Sequence, residues 1–366
     1  MTKKREWIPC VNHRDNEYGQ HAKQFIQDYF SCQKRRTLIL AGAGFDPRSI
    51  IISKLLVESA ENRIHGCFIR EERPNPSNKL LKSSEENVEN IKKLFVSNYE
   101  IVSIDIFSSD GAVIGGRKAI NFLKKFNFKG FTDIIVDISA MSIGVSYPMI
   151  RHLYNIAKSN KIFRNLHLMV IDNPSIDSKI IPTASDKAGT VFGFQGGFGL
   201  DANTEAVKLW LPQLMLGKKG ILEKIHTYIS EPKDICPILP LSESDPRLAD
   251  KLVDHYADEF ESSWVVDERN IVYADERNPL DLYRNILRID DARKRVFADI
   301  RGSMVVLSPV GSKASAIGAL MAAIERDFPV VYVEATDYTT LFDESSGQVR
   351  NHNRIVHVWL HGDAYP

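Results

Sequence analysis

Short apolar runs alternate with longer amphipathic stretches through the first half of this chain, from residue 37 to about residue 172. The apolar runs predict five strands, over residues 37–41, 64–69, 101–107, 133–138 and 166–171. Between them, apolar residues at helical spacing predict helices over residues 47–60, 84–95, 117–126 and 142–157. This alternation is typical of a parallel sheet that is covered by helices on both faces.

The tripeptide Asp-Pro-Arg occurs at residues 46–48 and again at residues 245–247, each time between an apolar run and an amphipathic stretch. The second half alternates as well, with strands predicted over residues 235–241, 304–307, 330–334 and 355–360 and helices over residues 246–260 and 280–298. The expected fold class is therefore α/β, with two Rossmann-like doubly wound domains in tandem and mostly parallel sheets.

The segment from residue 173 to residue 203 interrupts this rhythm with two prolines and the glycine-rich run TVFGFQGGFGLD. We expect an N-terminal extension over residues 1–36, a first domain over 37–185, a glycine-rich junction over 186–205 and a second domain over 206–366. A length of 366 residues fits two domains. The charge-rich segment 337–353 is predicted to be an exposed loop.

The composition excludes several classes of protein. Lys plus Arg and Asp plus Glu both number 47, so the charge balance does not indicate direct nucleic-acid binding. The four cysteines show neither metal-ligand spacing nor a disulfide framework, and no histidine pair suggests a metal site; His357 and His361 are interpreted as structural. We find no apolar run of the roughly 20 residues that span a bilayer and no signal peptide, and expect a cytoplasmic protein without a membrane partner.

The turn after the first predicted strand is the first candidate binding site. Gly42 and Gly44 permit close approach of a ligand to the backbone, and the following helix directs free N–H groups toward an anion. Asp46 and Arg48 are candidate contacts of this turn. Arg48 opposes the helix dipole, so it suits a phosphate or carboxylate better than a cap. The alternative is that Asp46 and Pro47 simply start a helix.

Further candidates follow the second, third and fourth strands. Glu71 lies about where doubly wound sheets place an acid for ribose hydroxyls, although it could belong to a solvated charged turn. Arg117 follows two glycines and could face a phosphate or lie in a structural turn. Asp137, Ser139 and Ser142 offer donors and acceptors to a sugar or base, or else end the strand and cap the helix.

The segment Ser-Pro-Val-Gly-Ser-Lys at residues 308–313 is the clearest candidate of the second half. Ser308, Gly311, Ser312 and Lys313 supply the physical ingredients of a phosphate cradle at a strand-to-helix turn, although the Walker pattern is absent. Ser312 as a plain N-cap with a solvated Lys313 is the alternative. The turn at residues 217–220 is interpreted as an ordinary exposed turn.

The stretch LILAGAGFDPR resembles the first motif of class I S-adenosylmethionine methyltransferases, especially the leucine carboxyl methyltransferase family. The resemblance implies that Gly42, Gly44, Asp46 and Arg48 surround the methionine part of the cofactor, and that Glu71 or Glu72 binds the ribose. The segment VIDNP at residues 170–174 resembles the catalytic Asn-Pro turn of amino-methylating members, but a serine follows where that motif has a second proline.

The segment DISAM at residues 137–141 resembles the signature of CRISPR-associated Rossmann fold domains and their tandem relatives in bacterial defence sensors. That resemblance implies binding of a nucleotide second messenger and agrees with two similar halves. The expected function is therefore binding of a nucleotide or nucleotide-derived ligand, as a sensor or effector subunit in antiviral defence or signalling. The alternatives are an S-adenosylmethionine-dependent methyltransferase and a protein-interaction subunit without ligand. A protein partner or a homo-oligomer remains open, as does catalysis.

Overall fold

The computed structural model describes residues 5–160, 162–196, 206–229, 234–299, 302–341 and 353–365. The strands are β1 (Asn12–Asn16), β2 (Gly19–Gln20), β3 (Thr37–Gly42), β4 (Ile64–Glu72), β5 (Tyr99–Asp105), β6 (Asp133–Asp137), β7 (Asn165–Asp172), β8 (Ile180–Ala184), β9 (Gly189–Thr190), β10 (Val207–Pro212), β11 (Asp234–Ile235), β12 (Ile238–Leu241), β13 (Val272–Asp275), β14 (Ser303–Ser308), β15 (Val331–Tyr332), β16 (Ala335–Thr340) and β17 (Arg354–His361).

The α-helices are α1 (His21–Phe30), α2 (Ile51–Ala60), α3 (Asn78–Phe95), α4 (Gly115–Leu123), α5 (Ile143–Asn160), α6 (Pro174–Asp177), α7 (Lys219–Ile229), α8 (Leu248–His255), α9 (Pro279–Val296) and α10 (Lys313–Arg326). A short 3-10 helix, Pro47–Ile50, leads into α2. Among the described residues, no helix is both long enough and apolar enough to cross a membrane.

The chain forms two compact units, and the second is inserted into the first. Unit 1 comprises residues 1–183 and 336–366, and unit 2 comprises residues 184–335. These bounds differ from the expected ones at both ends of the chain. Residues 12–30, expected as an extension, supply β1, β2 and α1 to unit 1, and β17 belongs to unit 1 rather than to the second half.

The sheet of unit 1 has eight strands in the order β2-β1-β17-β7-β6-β3-β4-β5. The five predicted strands of the first half are β3 to β7, and they pair in parallel. If these five strands are numbered 1 to 5 along the chain, their order across the sheet is 3-2-1-4-5. The winding of the sheet therefore reverses between strands 1 and 4, which are β3 and β6. β17 adds to β7 in the antiparallel sense. This order confirms the doubly wound α/β prediction.

The central strands of unit 1 are buried along their whole length. Every residue of β3, β6 and β7 is buried, as expected for parallel strands that are covered on both faces. One face packs on α1 and α2 through a core that includes Ile26, Phe30, Ile52 and Leu56. The continuous apolar runs in the sequence are therefore explained by burial of both faces of these strands.

Unit 2 repeats the strand order of unit 1. Parallel β11, β10 and β14 form one sheet and parallel β12 and β13 a second, and the bridges Gln213–Ile238 and Leu307–Val330 join β12 to the end of β10 and β14 to the start of β15. The resulting order, β13-β12-β10-β14-β15, is again 3-2-1-4-5, and β9 adds in the antiparallel sense to β15. The expected pair of Rossmann-like sheets is confirmed.

The two Asp-Pro-Arg tripeptides nevertheless occupy different places in this repeat. Residues 46–48 follow β3, the first parallel strand of unit 1, whereas residues 245–247 follow β12, the second parallel strand of unit 2. Taking the tripeptide as an aligned marker of duplication was wrong, and the repeat lies in the strand order. Residues 337–340, expected in a loop, lie in β16. Residues 342–352 of that segment, and residues 197–205 of the junction, lie outside the described residues.

Candidate functional site

The carboxyl ends of β3 and β6 diverge where the winding of unit 1 reverses, which is where open α/β sheets bind ligands. Gly42 and Gly44 lie at this point and have different surroundings. A Cβ atom on Gly42 would lie 2.4 Å from the carbonyl oxygen of Ala140, so the turn after β6 packs directly on the Gly42 backbone. No described atom lies within 4 Å of the Cβ position of Gly44. Gly44 is therefore the open position of this turn.

Helix α3 holds the turn between Ala43 and Asp46 in place. The Ser84 hydroxyl donates to the carbonyl of Ala43 at 3.2 Å, and the Asn87 amide donates to the carbonyls of Gly44 at 2.8 Å and Asp46 at 3.2 Å. These contacts fix the backbone without using a ligand. Sequence reasoning missed Ser84 and Asn87, because nothing in a helix of mostly polar residues marks these two side chains as loop contacts.

Arg48 is bound by two carboxylates of its own unit, so its surroundings favour a structural role over the predicted contact with a phosphate. The residue is only 1% exposed, and its guanidinium makes two close hydrogen bonds to Asp46, at 3.0 and 2.7 Å. A third bond, of 2.8 Å, reaches Asp177 at the end of α6. Burial alone lowers the pKa of Arg48, but the two carboxylates more than offset it and the pKa is raised. Asp46 also caps the 3-10 helix by accepting from the Arg48 N–H at 2.9 Å.

Glu71 lies at the carboxyl end of β4, and its side chain reaches past the end of β3 to the turn after β6. Its Oε1 accepts from the Ser142 N–H at 2.7 Å, and its Oε2 accepts from Arg73 at 2.9 Å. The Arg73 guanidinium lies 5.0 Å from the ring centre of Tyr338, which in turn lies 5.1 Å from the ring of Phe45. We call Phe45, Glu71, Arg73, Ser142 and Tyr338 the edge cluster. It combines two aromatic rings, a carboxylate and a guanidinium next to Gly44.

Asp137 and Ser139 hold the turn after β6 together through hydrogen bonds to each other and to β7, which favours a structural role over the predicted contact with a ligand. Asp137 Oδ1 accepts from the N–H of Ser139 at 2.9 Å and from its hydroxyl at 2.5 Å. Ser139 Oγ accepts from the Ile171 N–H at 2.8 Å, and both side chains are buried. Ser142 differs: its hydroxyl oxygen is buried, and among the described residues it has no hydrogen-bond partner.

Arg117 is exposed in the first turn of α4, which follows β5. The start of α4 packs on the start of α5, since a Cβ atom on Gly115 would lie 3.3 Å from Val145 Cγ2. Glu72 pairs with Arg70. The structure therefore brings Gly42, Gly44, Glu71 and Ser142 together at the switch point, and Arg117 stays a candidate.

Unit 2 places its candidates at the equivalent point, between the carboxyl ends of β10 and β14. Ser308 is buried, and its hydroxyl accepts from the indole N–H of Trp210 at 2.9 Å. Ser312 is the N-cap of α10, accepting from the Ser315 N–H at 3.1 Å and donating to the Glu276 carbonyl at 2.7 Å. Lys313 is partly exposed in the first turn of α10.

Gln213, which sequence reasoning missed, covers Gly311. A Cβ atom on Gly311 would lie 2.9 Å from Gln213 Oε1. That amide oxygen is buried on a side chain only 3% exposed, and it accepts no hydrogen bond from any described residue. An unsatisfied buried acceptor costs about 1–3 kcal/mol. The position therefore favours a hydrogen-bond donor that arrives from outside the chain.

Three further observations concern metal ligands, the Asn-Pro turn and Lys219. The described residues contain no group of three or more His, Cys, Asp or Glu side chains arranged to hold a metal ion. Asn173, of the Asn-Pro turn, is buried, caps α6 and donates to Asn353. Lys219, the first residue of α7, places its Nζ 2.6 Å from Glu259 Oε1.

No protein-family model matches this chain, and no curated protein matches it. Solved structures that align with this chain include a human methyltransferase 10 domain containing protein, at 11% identity and a TM-score of 0.22, covering 46% of this chain and 73% of that one. A universal stress protein from Pseudomonas aeruginosa UCBPP-PA14 aligns at 10% identity and a TM-score of 0.23, covering 82% and 94%.

The glycopeptide N-methyltransferase MtfA complexed with sinefungin aligns at 13% identity and a TM-score of 0.20, covering 46% of this chain and 60% of that one. Identities and TM-scores this low support no functional inference. The functional argument therefore rests on the residues of the two sheet edges.

Proposed function

We propose that the carboxyl edges of the two parallel sheets each bind a nucleotide-type ligand. The observation that carries this proposal is the shared 3-2-1-4-5 strand order. It gives each unit one reversal of winding, and the rule for open α/β sheets assigns the ligand to that crevice. Gly44 lies at this crevice in unit 1 and Gly311 in unit 2.

In unit 1, Gly44 offers an approach to the backbone, and the edge cluster supplies the remaining chemistry. Glu71 follows the second parallel strand, where its carboxylate suits ribose hydroxyls. Phe45 and Tyr338 offer aromatic faces to a base, and Arg73 offers positive charge to a phosphate. Arg48, Asp137 and Ser139 hold the two turns in place and contact no ligand in this proposal.

In unit 2, the first turn of α10 and Lys313 favour an anionic group, because the N-terminus of a 14-residue helix carries positive charge. Gln213 Oε1 favours a hydroxyl or amino donor on the same ligand. A phosphate next to a sugar or base meets both demands. The resemblance of residues 137–141 to nucleotide-sensing domains supports a sensor or effector role in bacterial defence.

The methyltransferase alternative receives less support from the geometry. Asn173 would have to present its amide to an acceptor nitrogen, but that amide is buried and used by α6 and Asn353. Binding of S-adenosylmethionine at Gly44 stays a hypothesis, and the experiment that tests the nucleotide proposal tests it too.

The first test is isothermal titration calorimetry of the full chain with ATP, cyclic di-AMP and S-adenosylmethionine. We expect at least one nucleotide to bind at two sites per chain. Gly44→Val places a side chain in the open position of unit 1 and should remove one site. Lys313→Ala should weaken the other site about tenfold, as loss of a charge-assisted hydrogen bond does.

Two controls make the outcome specific. Arg269→Ala removes an exposed arginine that precedes β13, at the opposite edge of the unit 2 sheet from its candidate site, and should leave both affinities unchanged. Saturable binding of S-adenosylmethionine alone would replace the nucleotide proposal with the methyltransferase alternative. If none of the three ligands raises the melting temperature at millimolar concentration, nucleotide binding is wrong and an interaction subunit is favoured.

A further inference from the structure

A chain of hydrogen-bonded side chains crosses four adjacent strands of unit 1, on β6, β7, β17 and β1. His167 Nε2 lies 3.3 Å from Asp133 Oδ1, and His167 Nδ1 lies 3.0 Å from His357 Nε2. His357 Nδ1 lies 3.0 Å from His13 Nδ1. His13 and His357 are direct partners in the register of β1 and β17. The function proposed above uses none of these residues.

The chain runs from a sealed end to a partly open end. Asp133, His167 and His357 are all 0% exposed, whereas His13 is of intermediate exposure. Phe25 of α1 covers the open end, with its ring stacked 4.1 Å from the His13 ring and 4.4 Å from the His357 ring. Water therefore reaches this chain at His13.

The sealed end is anchored as a carboxylate. Asp133 Oδ1 accepts from Tyr29 at 2.9 Å, from Arg35 at 3.0 Å and from Asn165 at 3.0 Å. Burial acts to raise the pKa of Asp133, but the hydrogen bonds from His167 and Thr132 and the charge of Arg35 outweigh it and lower the pKa to about 2.

An ionised Asp133 determines the proton positions along the chain. A neutral imidazole has one donor nitrogen and one acceptor nitrogen. His167 must donate from Nε2 to Asp133, so its Nδ1 accepts from His357 Nε2–H. His357 Nδ1 then accepts from His13 Nδ1–H. Every proton is thus assigned, and His13 Nε2 remains as the acceptor at the open end.

We propose that Asp133, His167, His357 and His13 form a relay that binds one proton from solvent and holds it beside Asp133. Hydronium protonates His13 Nε2 and leaves water. The Nδ1 proton of His13 then moves to His357 Nδ1, and the Nε2 proton of His357 moves to His167 Nδ1. The positive charge ends on His167, next to the carboxylate, and no hydrogen bond is lost.

The same arrangement limits the relay to one proton. The three hydrogen bonds Asp133–His167, His167–His357 and His357–His13 contain one hydrogen each, and after the first uptake His13 Nε2 is protonated as well. A second proton would make two N–H groups face each other in one of these hydrogen bonds. The three imidazoles therefore titrate as one unit rather than as three independent groups.

The surrounding charges agree with a neutral resting state. Burial lowers the pKa of His167, lowers that of His357 well below the ordinary value and lowers that of His13. The titratable and charged groups that face the relay are His21 and Tyr29 on α1, Arg35 after α1, Asp133 on β6 and Asp363 in the C-terminal segment.

The test is NMR of the histidine side chains in the ¹⁵N-labelled full chain. At pH 8 we expect His13 as the Nδ1–H tautomer and both His167 and His357 as Nε2–H tautomers. On acidification, all three rings should report one common midpoint and the uptake of one proton in total. Three separate midpoints, or His13 as the Nε2–H tautomer at pH 8, would overturn the relay.

Two variants keep the test decisive. His13→Phe removes the open end, so the two remaining rings should stop titrating in the range where the full relay responds. His357→Phe splits the chain, so His13 should titrate without any response from His167. His65→Gln, on β4 outside the relay, is the matched control and should leave the common midpoint unchanged. A common midpoint that persists in His357→Phe contradicts the proposal.

Discussion

The arginine of the first Asp-Pro-Arg tripeptide is a buried cation held by two carboxylates. Arg48 satisfies Asp46 from its own turn and Asp177 from a segment 129 residues away. The arginine of the second tripeptide, Arg247, has a side chain that is 82% exposed, and its partner Asp250 is exposed too. The same three letters therefore build a buried ion network in one unit and a solvated turn in the other.

Substitution of the two arginines should separate these roles. Arg48→Met leaves the buried Asp46 and the partly buried Asp177 without their cation, so we expect the free energy of unfolding to fall by about 3–5 kcal/mol. Arg247→Met should change it by no more than about 0.5 kcal/mol. Urea unfolding followed by circular dichroism measures both. Equal effects of the two substitutions would contradict the assignment of Arg48 to a buried network.

The helix start at the first Asp-Pro-Arg tripeptide was predictable from the sequence. Asp46 and Pro47 suit the start of a helix, and the structure confirms a helix start there. The partner of Arg48 was not predictable, because Asp177 belongs to α6 and reaches Arg48 only through the packing of the folded unit. An arginine that the sequence suggests for ligand binding can thus be paired in the folded chain with an acid that is distant in sequence.

The turn after β3 depends on two glycines that do different work. Gly42 allows the Ala140 carbonyl to pack on the backbone, whereas Gly44 faces open space. Neither glycine has a left-handed backbone conformation, so only the surrounding space distinguishes them.

Alanine substitutions should show this difference in stability. Gly42→Ala forces the turn after β6 to move, and we expect a loss of about 1–3 kcal/mol in the free energy of unfolding. Gly44→Ala meets no neighbour and should leave stability unchanged or raise it by up to about 1 kcal/mol, because the unfolded chain loses freedom. Thermal unfolding of both variants is the measurement. A destabilised Gly44→Ala would mean that the open position is in fact filled.

At the scale of elements, the sequence predicted the five parallel strands of unit 1 well, because the central ones are short apolar runs that both faces of the sheet bury. It did not predict β1 or α1, nor β10 and β13 of unit 2. β1 carries the polar sequence NHRDN, and its pairing with β17 joins residues more than 340 positions apart. Of the relay histidines, the sequence singled out only His357, which was interpreted as structural; His13 and His167 were missed, because the relay residues lie on four separate strands.

At the scale of the whole molecule, unit 1 is completed by a segment that follows unit 2 in the chain. β17 lies between β7 and β1 in the sheet, and both of its neighbours pair with it over several residues. Where the chain leaves and returns to unit 1, the Thr336 hydroxyl donates to the Thr183 carbonyl at 3.1 Å. The two ends of unit 1 at this point are therefore adjacent.

This arrangement predicts that unit 2 can be removed without unfolding unit 1. A chain in which a short Gly/Ser turn replaces residues 184–335 should unfold in one cooperative transition, because all eight strands of its sheet remain. A fragment of residues 1–185, close to the first domain expected from the sequence, lacks β17 and should not. Scanning calorimetry distinguishes the two. Cooperative unfolding of the shorter fragment alone would contradict the insertion.

The division between the units could not be predicted, because the sequence pattern of a single strand does not show which sheet the strand joins. β17 follows the second half in sequence, so a linear interpretation assigns it there. Its alternating histidines and apolar residues indicate a strand, and they carry no information about its neighbours.

The placement of β17 also determines when this protein can finish folding as it is made. When β7 leaves the ribosome, its free edge has no partner, and residues 173–353 must be translated before β17 emerges. At about 5–20 residues per second, the nascent chain carries that open edge for roughly 10–35 s. Unit 2 is fully synthesised within this interval, so the half that comes later in the sequence is the first that can close.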